Sequence, residues 1–343
     1  MTVRVGLVGS SGWSEFMYLQ KLQNFSHGTV VAIAARKQDR LTELGKQYGI
    51  KHLYTDWKEM ISSGEIDAIV VAAPDRHHKD ITLAAFEAGI PVMCEKPLAM
   101  NAEDAGLMLD AAQNTRLVNN VMFTWRNLPL FRKVKELIDS GTVGEVYHFD
   151  IRFNMGWARK AEYVWRVDAR EGNGAVGDLG VHDIDLTRWL LGEVVSVYAQ
   201  TEHSVIRPDS EPSNDTATMI LELASGAKGV ITCSIVFNQG DREMEQKVQV
   251  YGSKGSIEAT LYMSGQNKQM SVWVAHEDGF TETFDLGDDM WSHLETETIG
   301  VREFVENVAL KRQQGPDFRD GYLAQRVVDA ALESAVSGRR ITL

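Results

Sequence analysis

Val3-Arg4-Val5-Gly6-Leu7-Val8-Gly9-Ser10-Ser11-Gly12-Trp13-Ser14 is the stretch on which the fold class turns. Its apolar residues run almost unbroken to Val8 and stop at a glycine, as in a strand buried on both faces, and a helical segment follows through Leu22. Outward from it the same alternation recurs. Val30 to Ala35 reads as a second buried strand, Arg40 to Tyr48 as a helix, and Ile66 to Ala73 as a third strand ended by Pro74. His78 to Ala88 reads as a helix closed by Gly89, Pro91 to Cys94 as a fourth strand, and Leu117 to Met122 as one more. Strands and helices alternating in units of about 30 residues need crossover connections, hence a parallel sheet covered on both faces. This half is α/β.

From Val146 the period changes. Tyr147, Phe149, Ile151 and Phe153 alternate with His148, Asp150, Arg152 and Asn154, the pattern of an antiparallel strand with one apolar face. Similar runs follow at Val194 to Ser204, Thr216 to Leu223, Lys228 to Phe237, Lys247 to Tyr251, Ser256 to Leu261 and Met270 to His276. Helices are expected at Val181 to Leu191, Val301 to Lys311 and Ala324 to Ser337. The expectation is an α+β domain on a large, open, mostly antiparallel sheet, with domains spanning residues 1–122 and 123–343. So few helices leave one sheet face to be covered, and self-association into a homodimer or homotetramer through it is the simplest cover.

A length of 343 residues suits two domains at roughly 150 each. The net charge of -13 argues against a nucleic-acid partner, because phosphate binding relies on clustered Lys and Arg. Two cysteines, Cys94 and Cys233, make no disulfide framework, and no run approaches the ~20 apolar residues of a membrane span. A cytoplasmic protein is expected.

The turn from Gly9 into a helix is the context in which backbone N–H groups hold a pyrophosphate. Against the pattern G-x-G-x-x-G, Gly9 fits the first position, while Ser11 and Ser14 replace the later glycines; Ser10, Gly12 and Trp13 complete the loop. After the second strand, where an acidic residue would bind the adenosine ribose, the chain has Ala35-Arg36-Lys37. Two cations without a carboxylate favour a 2′-phosphate, so NADP(H) is preferred over NAD(H).

Loops at the carboxyl ends of the later strands should line the same ligand. They read Ala73-Pro74-Asp75-Arg76-His77-His78 and Glu95-Lys96-Pro97. A lysine fixed beside a glutamate can stabilise the alkoxide that develops as hydride leaves. Downstream, Gly172 to Gly180 forms a glycine-rich loop into Val181-His182-Asp183-Ile184-Asp185, and the four-residue spacing brings Asp178 near His182 in a helical turn. A carboxylate that orients an imidazole gives an acid/base pair. A metal on His182, Asp178 and Asp185 is the alternative, but hydride transfer needs none.

Taken together, Pro74 to His78, Glu95-Lys96-Pro97, Trp125-Arg126 and Gly172 to Asp185 resemble the glucose-fructose oxidoreductase, inositol dehydrogenase and related proteins family (Gfo/Idh/MocA) over essentially the whole chain, the serines of the glycine turn departing from the family pattern. The resemblance implies a Rossmann domain, an open-sheet domain, and redox chemistry on a sugar, inositol or polyol. It makes Lys96, Asp178 and His182 the catalytic set, with His182 as general acid/base. The cofactor would meet Gly9 to Trp13, Arg36, Lys37, Ala73, Pro74, His78, Glu95 and Lys96. Arg126, Trp157, Tyr163, Trp165 and Arg166 would meet the substrate beside the catalytic set, aromatic faces packing on sugar C–H faces. Two other readings stay open: a tightly bound, recycled cofactor serving epimerisation, elimination or glycoside cleavage, and a non-catalytic dinucleotide sensor.

Overall fold

The computed structural model of the chain describes residues 2–238, 240, 242–264, 268–287 and 300–343. It divides into two compact units, Met1–Phe123 with Glu297–Leu323, and Thr124–Thr296 with Ala324–Leu343.

The first unit carries a six-stranded sheet of β1 Val3–Val8, β2 Gly28–Ala34, β3 His52–Tyr54, β4 Ala68–Val71, β5 Val92–Cys94 and β6 Asn119–Val121, in the order β3-β2-β1-β4-β5-β6. Every neighbouring pair is parallel. Val5, Leu7 and all of β4 are fully buried, which is why their stretches are apolar throughout. The order reverses between β1 and β4, and ligands collect at the carboxyl ends of strands beside such a reversal. Three elements lie outside the sequence expectations: β3, three half-buried residues too short to show a period, and the helices Trp57–Ser62 and Ala102–Thr115.

The helix Val301–Leu310, expected in the second domain, belongs to the first unit. Val301, Phe304 and Val305 pack into the same core as Val5 and Leu7. Gly28 makes room for it: a Cβ there would stand 2.5 Å from Val305 Cγ1. No local pattern announces such a long-range return.

The second unit is built on a nine-stranded sheet: β7 Val146–Met155, β8 Val194–Glu202, β9 Thr216–Leu223, β10 Lys228–Ser234, β11 Arg242–Gly252, β12 Gly255–Ser264, β13 Lys268–His276, β14 Thr281–Asp285 and β15 Ile341–Thr342. Their order is β14-β13-β12-β11-β7-β10-β9-β8-β15. The alternation is clean: Ala217, Met219, Leu221 and Leu223 are buried on β9, while Ile220 between them is 50% exposed. One expectation is corrected. β7 pairs antiparallel with β11 but parallel with β10, since the two-residue pleat period is the same for either direction. The helices Pro129–Asp139, which the sequence reading omits, and Val181–Leu191 lie against the sheet in this unit. Among the described residues no helix is long and apolar enough to cross a membrane.

Candidate active site

In the first unit the turn after β1 is set by Gly9, whose φ is +138° and whose added Cβ would lie 2.5 Å from the carbonyl oxygen of Ala72. Only glycine tolerates both constraints. The chain then enters a continuous helical run, Gly12–Ser14, Glu15–Leu19 and Gln20–Leu22, whose middle segment is π-helical. Ser11 and Ser14 serve the turn where the pattern has glycines: Ser14 N donates to Ser11 Oγ at 3.1 Å, capping the helix, and the two hydroxyls are 2.9 Å apart. Ser10, Ser11 and Gly12 are not buried, and a Cβ on Gly12 would meet nothing within 4 Å. The backbone there forms an open cradle at a helix N-terminus, which fits a pyrophosphate.

Trp13 and Tyr18 tie this loop to the end of β5. Trp13 Nε1 donates to Glu95 Oε1 at 2.6 Å and Tyr18 Oη donates to the same oxygen at 2.5 Å. The backbone N–H of Lys96 donates to Glu95 Oε2 at 3.2 Å. Glu95 is buried while Lys96 is partly exposed, so a satisfied carboxylate sits immediately behind the lysine. Burial first, then Glu95, drives the Tyr18 pKa well above its ordinary value, keeping the phenol a donor. Tyr18 was not foreseen; the π-helical segment brings it, five residues on, to the same carboxylate as Trp13.

His78 is fully buried, with its ring nitrogens 2.9 Å from the carbonyl oxygens of Ala73 and Pro97. It braces the loops after β4 and β5 rather than presenting itself to a ligand. Ala73 and Pro74 are partly exposed at the end of β4. Arg36 and Lys37 are exposed at the end of β2. Beyond them lies an unforeseen residue, Arg40, which donates from Nε to the carbonyl of Ser10 at 3.3 Å and pairs with Glu15 and Glu43.

In the second unit Asp178 lies in a π-helical segment, Val176–Gly180, that runs directly into the helix carrying His182. Gly174 makes the turn possible: its φ is +63° and a Cβ would stand 2.2 Å from the carbonyl oxygen of Asn214. Asn214 clamps the loop, accepting from Val176 N at 2.9 Å and donating to the carbonyl of Asn173 at 3.0 Å. Lying 38 residues from Val176, it gave no signal in the sequence.

Asp178 Oδ1 is 3.2 Å from Arg166 Nε, and the Arg166 guanidinium stacks on the Trp165 ring, so these three foreseen residues come together. The His182 ring lies 5.2 Å from Trp125 and 6.2 Å from Phe153, centroid to centroid. Trp157 and Tyr163 are exposed, at 37% and 50%. Arg126, foreseen as a substrate contact, makes a two-bond pair with buried Asp185, at 2.9 and 2.6 Å. That pair braces the helix and occupies one of the three groups weighed for a metal; among the described residues no cluster of three His, Cys, Asp or Glu side chains could hold one.

Residues 3–123 match the family model described as "Oxidoreductase family, NAD-binding Rossmann fold", and residues 131–258 match "GFO/IDH/MocA C-terminal domain". The chain is 28% identical over its full length to inositol 2-dehydrogenase of Rhizobium meliloti, all of which is covered. It is 26% identical to levoglucosan dehydrogenase of Pseudarthrobacter phenanthrenivorans, over 88% of this chain and 86% of that protein. A solved structure of levoglucosan dehydrogenase in complex with NADH superposes with a TM-score of 0.89 at 23% identity, covering 100% of this chain and 99% of that one, which establishes likeness of fold.

Proposed function

The chain belongs to the Gfo/Idh/MocA family of oxidoreductases, and from that premise we propose that it moves a hydride between a nicotinamide dinucleotide and a secondary alcohol carbon of a sugar, inositol or other polyol. The observation that carries this reading is the buried Glu95, which ties Trp13 of the glycine turn to the backbone of Lys96. A lysine at a strand end, held by a carboxylate that also anchors the dinucleotide loop, suits a group that must meet a substrate oxygen beside the cofactor.

The backbone from Gly9 to Trp13 would hold the pyrophosphate, and Arg36 and Lys37 a 2′-phosphate, which makes NADP(H) the preferred dinucleotide. When bound, the nicotinamide accepts or supplies the hydride. In the oxidative direction the Lys96 ammonium stabilises negative charge on the substrate oxygen, and a ring nitrogen of His182 takes its proton. Asp178 orients and charges the imidazole, with Arg166 holding that carboxylate. Trp157, Tyr163 and Trp165 offer faces for a sugar ring. The open face of the nine-stranded sheet, with Ile220 and Trp273 on it, is the surface through which copies of the chain would associate; a monomeric mass in light scattering would exclude that.

Fluorescence titration with NADPH and NADH, followed by a scan of sugars, inositols and polyols at the nicotinamide absorbance, tests the whole reading. Tighter NADPH binding and turnover on one alcohol class are expected, with Arg36→Asp moving the preference towards NADH. Failure to bind either dinucleotide would overturn the proposal, and binding without turnover on any alcohol would replace it with a recycled or sensing role.

A further inference from the structure

Asp183 and Gln246 are both fully buried within the second unit, and Gln246 Nε2 donates to Asp183 Oδ1 at 2.7 Å. Their remaining polar atoms, Asp183 Oδ2 and Gln246 Oε1, are buried and have no hydrogen-bond partner among the described residues. If Asp183 were ionised, this arrangement would be costly twice over. A full charge would sit in an apolar interior with one neutral donor, and two acceptor oxygens would have nothing to share.

One proton resolves both problems. A carboxylic acid would donate from Oδ2 to Gln246 Oε1 while Gln246 Nε2 donates to Oδ1, and the two side chains would then close a ring in which every oxygen is used. Burial also drives the Asp183 pKa well above the usual carboxylate range, the Gln246 hydrogen bond working against it.

The place of the pair gives it a role. Asp183 follows His182 in the first turn of its helix. Gln246, on β11, is the register partner of Phe153 on β7, and the Phe153 ring lies against His182. The Asp183–Gln246 hydrogen bond therefore joins the helix that carries His182 to the sheet beneath it.

We propose that Asp183 is kept as a neutral carboxylic acid closed in a two-bond ring with the Gln246 amide, and that this pair is the positioning device for His182. Neutrality matters as well as the tether, because a second anion beside His182 would strengthen its hold on a proton it must release. The positioning half rests on the reading of His182 as the acid/base; the protonation half does not.

Infrared spectra of the unliganded protein at neutral pH, compared with Asp183→Asn, test the protonation half. A carboxylic-acid carbonyl band present in the wild type and absent from the variant is expected; no such band would overturn it. Carbon-13 NMR of wild-type protein labelled at aspartate carboxyls reads the same state without any variant, and ionised shifts for every aspartate would overturn it equally. For the positioning half, Gln246→Met should lower kcat roughly tenfold or more with dinucleotide affinity unchanged. The double variant D183N/Q246E, which exchanges acid and amide atom for atom, should restore turnover and the band. Wild-type turnover in Gln246→Met, or no recovery in the exchange, would overturn positioning. Full activity in His182→Ala would instead remove the acid/base reading and leave the infrared result standing.

Discussion

Two buried carboxyls, one in each unit, stand next in sequence to a proposed catalytic residue, and the fold treats them in opposite ways. Glu95, beside Lys96, accepts hydrogen bonds from Trp13, Tyr18 and the Lys96 backbone. The Asp183 carboxyl, beside His182, accepts from Gln246 and, among the described residues, from no other donor. Three donors suit an acceptor-only carboxylate, while a single amide suits an acid that brings its own proton. Counting donors and acceptors around a buried group thus tells which ionisation state the fold was built for, and in both units the satisfied group lies behind the reactive one.

The largest effects should come from the reactive groups themselves. Lys96→Ala and His182→Ala are each expected to lower turnover by about 100-fold or more, the usual cost of removing a positioned acid/base or charge-stabilising group. Dinucleotide affinity should be largely retained in both. Equal, wild-type-like turnover would break the comparison at its root, because neither carboxyl would then have a catalytic residue to support.

The same counting extends to a buried base. Both ring nitrogens of His78 face carbonyl oxygens, which only accept, so both must carry protons and the ring is a cation. Burial opposes that charge, but the Cys94 sulfur and the two carbonyls outweigh it and raise the pKa from 6.5 to about 9. Because the folded value lies above the unfolded one, the resulting stability is fully present below about pH 6.5 and is lost as pH rises through about 9. A loss on the order of a few kcal/mol is expected between urea unfolding at about pH 6 and about pH 9.5, flattened in His78→Asn. A wild-type profile as flat as the variant's would show that one carbonyl contact is made without a proton.

How far the molecule was legible follows from the range of each contact. Val3 to Gly9 announced the parallel sheet because burial on both faces leaves its mark in consecutive residues, and β9 announced itself by alternation for the same reason. Direction was not legible: β7 looks alike whether its neighbour is parallel β10 or antiparallel β11. The members of the proposed catalytic set were visible as residue types in loops, yet their supports were not. Tyr18 reaches Glu95 across 77 positions, Gln246 reaches Asp183 across 63, and Asn214 reaches Val176 across 38. Such partners are chosen by tertiary packing, and no spacing rule reports them.

A smaller effect should separate Trp13 from a simple packing role. Trp13→Phe keeps an aromatic ring and deletes the 2.6 Å bond to Glu95, while Tyr18 and Lys96 still donate. A hydrogen bond to a charged group is worth roughly 1.5–3 kcal/mol, and with two donors remaining the low end applies. Equilibrium denaturation should show that loss, and kcat should fall several-fold more than packing alone predicts. Unchanged kcat with lowered stability would reduce the Glu95 cluster to a structural brace and sharpen the contrast with Asp183.

The smallest expected effect lies at the start of the helix, where the chain departs from the glycine pattern. Ser11 Oγ accepts from Ser14 N, so Ser11→Ala should cost about 1 kcal/mol, whereas Ser11→Gly, which restores the pattern, should cost only a few tenths. The difference is read by urea denaturation of the two variants side by side. Since the Ser11 side chain is exposed and caps the helix, neither change should disturb the hydrogen bonds that Glu95 accepts. If Ser11→Gly instead tightened dinucleotide binding while Ser11→Ala weakened it, the hydroxyl would be acting on the ligand as well as on the helix. The cradle would then depend on the backbone at Gly9 and Gly12 less than its geometry implies.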